Sequence, residues 1–249
     1  MDQPSLDLKI GEITKIWAEQ HDLLVHYLPE CESTNAWAKT DAFSEEVSAE
    51  ALVLYLCESQ TAGRGRGTNT WKNSHPGSSL LSTWSFEVEQ HPQPITTLRF
   101  GLALIRCCQN IWPALPWNLK APNDLQIGPR KTAGILLESV SQGKDSRLIF
   151  GLGMNLFEAP KEIPTATSLA QSFPKGLPLL GEDYIGLLDR LLYEVTDALS
   201  RGNESLSESE QSAVLHFLNL NPNLKTKFTQ VDAQGNLWTN DDKIPWMEI

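Results

Sequence analysis

Three short stretches hold most of the residues able to do chemistry. The first, ESQTAGRGRGTNTWKN, runs from Glu58 to Asn73 and sets Gly63, Arg64, Gly65, Arg66 and Gly67 in consecutive positions ahead of Trp71. Glycines let successive backbone N–H groups curl about an anion, and a guanidinium grips two oxygens of a phosphate or carboxylate at once. The loop lacks the G-K-[ST] ending of a nucleotide P-loop and the G-x-G-x-x-G that opens a dinucleotide-binding helix. Alone it fits either a small-anion site or a solvated turn. The second stretch, LKAPNDLQIGPRKTAGILLE, places Lys120 before a Pro122-Asn123-Asp124 turn and Lys131 at the start of the returning strand. Two ammonium groups at one end of a hairpin suit a polyphosphate or a developing anionic transition state, and Asp124 is placed to help hold a magnesium ion. The plain alternative is a polar turn with solvated lysines. The third, Ser33-Thr34-Asn35, is a set of helix-capping residues that can also read a polar head group at a helix start.

The chain that must position these groups has 249 residues, with 20 Lys+Arg against 31 Asp+Glu and a formal net charge of −11. That balance argues against general nucleic-acid binding, which rests on clustered cations neutralising phosphates. The one compact basic cluster is the loop itself, which limits its anion to something small. No apolar run is long enough for a membrane span, and the N-terminus does not read as a secretion signal. The four cysteines, Cys31, Cys57, Cys107 and Cys108, have no metal-like spacing and read as buried thiols in a reduced cytosol.

Periodicity predicts a helix within residues 5–20, weakened by Gly11, then an extended segment leading to the Ser33 caps. A buried strand over Ala51–Ser59 feeds the glycine-arginine loop, and a second strand covers Ser78–Val88. An apolar helix over Ile95–Trp112 packs beneath the sheet. Strands follow at WNLK, KTAGILLESV and Arg147–Phe157, with a turn and short strand in APNDLQI between the first two, and with Gly151 and Gly153 letting something approach the backbone. Residues 158–180 read as an irregular connection, Asp183–Arg201 as an amphipathic helix, and GNESLSESEQS as a polar separator. The fold class is α+β, with a mixed, mostly antiparallel sheet backed by helices. Residues 1–205 form the main domain and residues 206–249 a small annex.

Taken in order, ESTN, QTAGRGRG with its tryptophan, K-x-PND, RK-x-AGILLE and GLGMNL resemble the biotin protein ligases, from about Val25 to Leu156, with an echo in ATSL at Ala166–Leu169. The resemblance implies the class II synthetase-like biotin–lipoate ligase fold with an SH3-like annex. It also implies two half-reactions: biotin and ATP give biotinyl-5′-AMP and pyrophosphate, and biotin then passes to a lysine of a biotin carboxyl-carrier protein domain. By the same resemblance, Ser33, Thr34, Asn35 and Gln60 face the biotin head group. Arg64, Gly65 and Arg66 wrap its carboxylate and the adenylate phosphate. Lys131 holds the carboxylate–phosphate junction, Lys120 supports the phosphates, Trp71 packs against adenine, and Asn155 completes the nucleotide side. Lys131, Arg66 and Lys120 are the expected catalytic residues. Magnesium sits between the phosphates, with Asp124 as its expected protein ligand.

The chain departs from the family pattern at three places. Gly67, Thr68 and Asn69 soften the second half of the basic run, Ala121 stands where a tryptophan is usual, and the annex, marked by VDAQGNLW (Val231–Trp238), is abbreviated. About 24 residues precede the domain, fewer than a DNA-binding winged helix needs, so a single-function, cytoplasmic ligase without nucleic-acid or membrane partners is expected, as monomer or homodimer. Two alternatives stand beside it: a lipoate or octanoate ligase on the same fold, and a non-catalytic biotin-binding relative.

Overall fold

The computed structural model describes residues 9–174, 177–240 and 242–248. A seven-stranded sheet runs in the order β1-β2-β3-β7-β6-β5-β4, built from Leu24–Cys31 (β1), Leu52–Gln60 (β2), Ser79–Glu87 (β3), Trp117–Lys120 (β4), Asp124–Ile127 (β5), Arg130–Gln142 (β6) and Asp145–Asn155 (β7). β1 and β2 are parallel and the other pairs antiparallel, so the sheet is mixed and mostly antiparallel, as expected.

Alternation sets the layers, because successive residues of a strand point to opposite faces. Leu54 and Leu56 of β2, Phe150 and Leu152 of β7, and Ala133 and Ile135 of β6 join the main core. That core is closed by helices Ile10–Gln20 (α1), Pro94–Ile111 (α4) and Gly181–Ser200 (α6). Val53, Tyr55 and Ile149 face the other way and pack with Ala38 and Val47, from the short helices Thr34–Asp41 (α2) and Glu45–Ser48 (α3). Near β2 both faces are covered, which accounts for its unbroken apolar run.

The glycine that weakens the first helix has a packing reason. The carboxylate of Glu58, at the end of β2, accepts the N–H groups of Gly11 (3.2 Å) and Glu12 (3.1 Å), capping α1 from across the sheet. A Cβ on Gly11 would lie 2.6 Å from Glu58 Oε1. The four cysteines are free thiols, and burial pushes that of Cys107 up to about 12.

Among its described residues, the connection over residues 158–180 contains one short helix, Leu169–Ser172 (α5), within an otherwise irregular path. The longest unanticipated element lies beyond it: the stretch read as a polar separator opens a twelve-residue helix, Glu208–Asn219 (α7). Ser207 caps it, accepting from the Glu210 N–H while the Glu210 carboxylate accepts from the Ser207 N–H. After it come three two-residue strands, Gln230–Val231 (β8), Leu237–Trp238 (β9) and Lys243–Ile244 (β10), and a 3-10 turn at Trp246–Glu248. Phe217, Leu218, Phe228, Val231, Leu237 and Trp246 bury themselves in the main core. Among the described residues no helix is long and apolar enough to cross a membrane.

Candidate active site

The site lies where β6 and β7 lose their side chains on the face opposite the α4–α6 layer. Along β7, Ile149 is packed, but the next two residues on its side are Gly151 and Gly153, and Gly134 of β6 lies opposite Gly153. A Cβ on Gly151 would stand 2.1 Å from Asn35 Oδ1, and one on Gly153 would stand 2.7 Å from the Trp71 ring. The two glycines therefore admit the protein's own Asn35 and Trp71 to the backbone. Over this bare floor opens a cavity of about 600 Å³.

Its inner end is polar and closely bonded. Ser33 caps α2 through the Ala36 N–H (3.4 Å), which turns the backbone so that Thr34 and Asn35 point at the sheet. The Gln60 side-chain oxygen accepts the Thr34 N–H (2.9 Å) and lies 3.3 Å from the Thr34 hydroxyl. Asn35 Nδ2 donates to Glu138 Oε2 (3.0 Å), while Asn35 Oδ1 accepts from the Thr83 hydroxyl (2.6 Å). Glu138 also receives Lys39 Nζ (2.7 Å) and approaches Arg64 Nη2 (3.5 Å). Burial alone would raise the Glu138 pKa, but the Lys39 and Asn35 hydrogen bonds and the Lys39 and Arg64 charges outweigh it and hold the carboxyl below its ordinary range.

The glycine-arginine loop folds back on itself as a narrow hairpin over the cavity. Trp71 N–H donates to Gly63 O (2.9 Å), Gly65 N–H to Asn69 O (2.9 Å) and Asn69 N–H to Arg66 O (3.1 Å). Asn69, which the sequence suggested would loosen the loop, supplies two of its closing contacts. The Trp71 ring lies across Gly153 with Lys131 Nζ 5.6 Å from its centroid, and its Nε1 is buried without a partner among the described residues.

At the outer end Lys131 Nζ pairs with Asp124 Oδ1 at 2.5 Å, joining the two arms of the hairpin. Residues 165–167 lie alongside as a parallel bridge: Lys131 N–H donates to Thr165 O and Thr167 N–H to Lys131 O, both at 2.8 Å. This is the place of the ATSL echo. Ala121 is buried in the cavity wall, and the next residue, Pro122, accepts the Trp246 indole N–H at 2.9 Å. The C-terminal turn thus braces the segment carrying Lys120. Among the described residues lining the cavity, the cations Arg64, Arg66, Lys72, Lys120 and Lys131 outnumber the carboxylates Asp124 and Glu162, so an acidic chain presents a basic site.

The structure gathers Ser33, Thr34, Asn35, Gln60, Arg64, Gly65, Arg66, Trp71, Lys120, Asp124 and Lys131 around this one cavity. It does not bring Asn155 there. That residue ends β7 and is sealed in, accepting from the Ser79 hydroxyl (3.4 Å) and donating to Thr167 O (3.2 Å), so its amide ties the 165–167 segment to β3. Among the described residues no group of three or more His, Cys, Asp or Glu side chains is arranged to hold a metal ion. Two carboxylates, Asp124 and Glu162, in an otherwise basic lining fit a magnesium ion that arrives on phosphates better than a resident one. Thr83 and Glu138 went unremarked in the sequence. The available signal was the two-residue period of β6, which puts Glu138 on the same side as Gly134 and Leu136.

A bare-floored cavity with a polar inner end, a cationic outer end and a glycine-arginine hairpin above marks the sheet face of this α+β protein as its candidate site. The chain belongs to the Biotin/lipoate A/B protein ligase family, whose model matches residues 27–155. It is 30% identical over 129 residues to the bifunctional ligase/repressor BirA of Bacillus subtilis, covering 48% of this chain and 39% of that one. It is 33% identical over 148 residues to the biotin–[acetyl-CoA-carboxylase] ligase of Mycobacterium tuberculosis, covering 57% and 52% respectively. The chain thus spans about two fifths to half the length of these relatives. Among solved structures, the fold matches the biotin protein ligase of Aquifex aeolicus in complex with biotin and ATP, with a TM-score of 0.66, 22% identity, and coverage of 90% of this chain and 97% of that one.

Proposed function

We propose that this protein activates biotin with ATP to biotinyl-5′-AMP and passes the biotinyl group to a lysine on a biotin carrier domain, such as that of acetyl-CoA carboxylase. The observation carrying this reading is the joining, in one cavity, of a polar inner end, the Arg64–Arg66 hairpin and the Lys131–Asp124 pair. A relative named as a biotin–[acetyl-CoA-carboxylase] ligase supports it.

In the first step a carboxylate oxygen of biotin attacks the α-phosphorus of ATP and pyrophosphate leaves with the bridging oxygen's electrons. Negative charge grows on the α-phosphoryl oxygens. Lys131 is held by Asp124 at 2.5 Å beside the floor glycine Gly134, where its fixed ammonium offsets that charge without reorganising. Arg64 and Arg66 hold the carboxylate and phosphate oxygens, and Lys120 supports the leaving pyrophosphate. Magnesium would arrive with ATP as part of the substrate and would supply neutralisation of phosphate charge, with Asp124 as the carboxylate that would hold it. Trp71 offers a flat ring to the adenine. In the second step the acceptor amine attacks the acyl carbon of the mixed anhydride and AMP leaves. The hairpin covers this labile anhydride and excludes water. Residues 206–249 act as an annex bracing the phosphate end, and the reaction belongs to the cytoplasm.

The test is direct. Purified protein with biotin, ATP and magnesium is expected to release pyrophosphate, and a carrier domain added to it is expected to become streptavidin-reactive. Release with lipoate but not biotin would transfer the assignment to the sister activity. Adenylate without transfer would confine the protein to the first step. Arg66→Ala is expected to weaken adenylate retention by about 100-fold, from loss of a charge-assisted bidentate contact, read as the adenylate off-rate; an unchanged off-rate would remove Arg66 from the site.

A further inference from the structure

Behind the inner end of the cavity lies a half-buried carboxylate that does not itself line it. Glu138 lies on β6 two residues beyond Leu136, and both of its oxygens are engaged: Oε1 by Lys39 (2.7 Å) and Arg64 (3.5 Å), Oε2 by Asn35 Nδ2 (3.0 Å). Residues that line the cavity are separated from it by one hydrogen bond.

Proton counting shows what this does. A carboxylate held by two cations only accepts, so the Asn35 end facing it must be the NH₂. Asn35 Oδ1 then faces Thr83, and at 2.6 Å it takes that hydroxyl's one proton. Thr83 Oγ1 also lies 2.9 Å from Thr34 Oγ1, which lies 3.3 Å from Gln60 Oε1. With the Thr83 proton spent, the Thr34 proton goes to Thr83 or to Gln60. Either way Thr34, which lines the cavity, turns only lone pairs toward a ligand.

We propose that Glu138 is a positioning residue that fixes the direction of the Asn35–Thr83–Thr34 hydrogen-bond chain, making the inner end of the cavity an acceptor for ligand N–H groups. Without that charge only the long contact from Asn35 Nδ2 to the Leu136 carbonyl, at 3.4 Å, still favours one orientation of the amide, and Thr34 can present a donor or an acceptor. With it, a head group carrying urea-type N–H is favoured over a ring that has no N–H to give, because the latter leaves buried lone pairs unmatched. This selectivity rests on the biotin reading above and adds a residue to it.

Glu138→Gln separates charge from shape. Its amide oxygen is drawn to Lys39 and Arg64, which leaves its NH₂ against Asn35 and inverts the chain. The experiment measures biotin Kd by calorimetry for wild type, Glu138→Gln, Thr83→Val and the double variant, with the KM for ATP at saturating biotin as a control. Glu138→Gln is expected to weaken biotin about 10-fold with the KM for ATP within twofold. In the Thr83→Val background the same change is expected to cost less than twofold, since the chain it acts through is already cut. A Glu138→Gln protein that binds biotin as wild type does, or effects that multiply independently in the double variant, would overturn the proposal; the latter would leave Glu138 acting through Arg64 alone. Absence of biotin binding by wild type would instead refute the underlying functional reading.

Discussion

At the residue scale, the site depends on what is missing from β7. Gly151→Ala would put a methyl group where Asn35 Oδ1 now lies, 2.1 Å from the new Cβ. Asn35 must then leave its slot, releasing both the Thr83 hydroxyl and the charged Glu138 contact. Hydrogen bonds of these kinds are together worth about 2 kcal/mol, so biotin binding is expected to fall roughly 30-fold while the circular dichroism spectrum stays unchanged; undiminished binding would show that Asn35 does not shape the inner end. The sequence revealed these glycines as points of close approach, since an unfilled strand position invites a neighbour, but not which neighbour. Most site residues were legible because glycine, arginine and lysine at turns are conspicuous. Glu138 and Thr83 were not, because a polar residue within a strand looks the same whether it faces solvent or a buried partner. Asn155, which the family resemblance alone assigned to the nucleotide side, is buried outside the cavity lining, and its amide fastens residues 165–167.

At the scale of elements, period-two and period-3.6 patterns located the strands and the long helices to within one or two residues at most ends. The longest element that escaped was α7, whose polar residues mask a buried stripe of Glu210, Val214, Phe217 and Leu218. The capping pair Ser207 and Glu210 was the local signal for its start. Ser207→Ala removes that acceptor and is expected to lower stability by about 1 kcal/mol, read as a shift in the urea midpoint with an unchanged slope. No shift would mean that packing alone fixes where α7 begins. The glycine-arginine loop was legible in composition but not in shape. Its form comes from backbone contacts of Gly63, Gly65, Arg66, Asn69 and Trp71 with one another, which residue type alone does not disclose. The softened half of the loop, from Gly67 to Asn69, is the turn of a hairpin, so the missing arginine character there costs the hairpin none of its closing contacts.

At the scale of the whole molecule, the C-terminal part is joined to the core by buried charge as well as by apolar contact. Arg99 of α4 is 2% exposed and donates from Nε to Glu210 Oε1 of α7 at 3.0 Å, while its Nη2 reaches the carbonyls of Glu204 (3.1 Å) and Ser205 (3.2 Å). Arg201 adds a second contact to the same Glu210 oxygen at 3.1 Å. Burial by itself would raise the Glu210 pKa, but the Arg99 guanidinium and the Ser207 N–H overcome it and bring the value to about 2 from an ordinary 4.5. A carboxyl whose folded pKa lies below its unfolded one binds more protons when unfolded, so its contribution is complete above pH 4.5 and disappears as pH falls toward 2. Removing one partner of a buried pair costs about 3 kcal/mol because the other charge is left uncompensated. Glu210→Gln is therefore expected to lose about that much stability at pH 7, and the gap between variant and wild type is expected to narrow steadily between pH 4.5 and pH 2. Urea unfolding followed across that range decides it: parallel stability curves would mean that Glu210 is not the acid-sensitive tie between α7 and the core. Because the turn at Trp246 braces Pro122 beside the cavity, loosening that tie is also expected to raise the KM for ATP before the protein unfolds. A KM for ATP that stays constant in Glu210→Gln under native conditions would show that the brace holds independently of the Arg99–Glu210 pair.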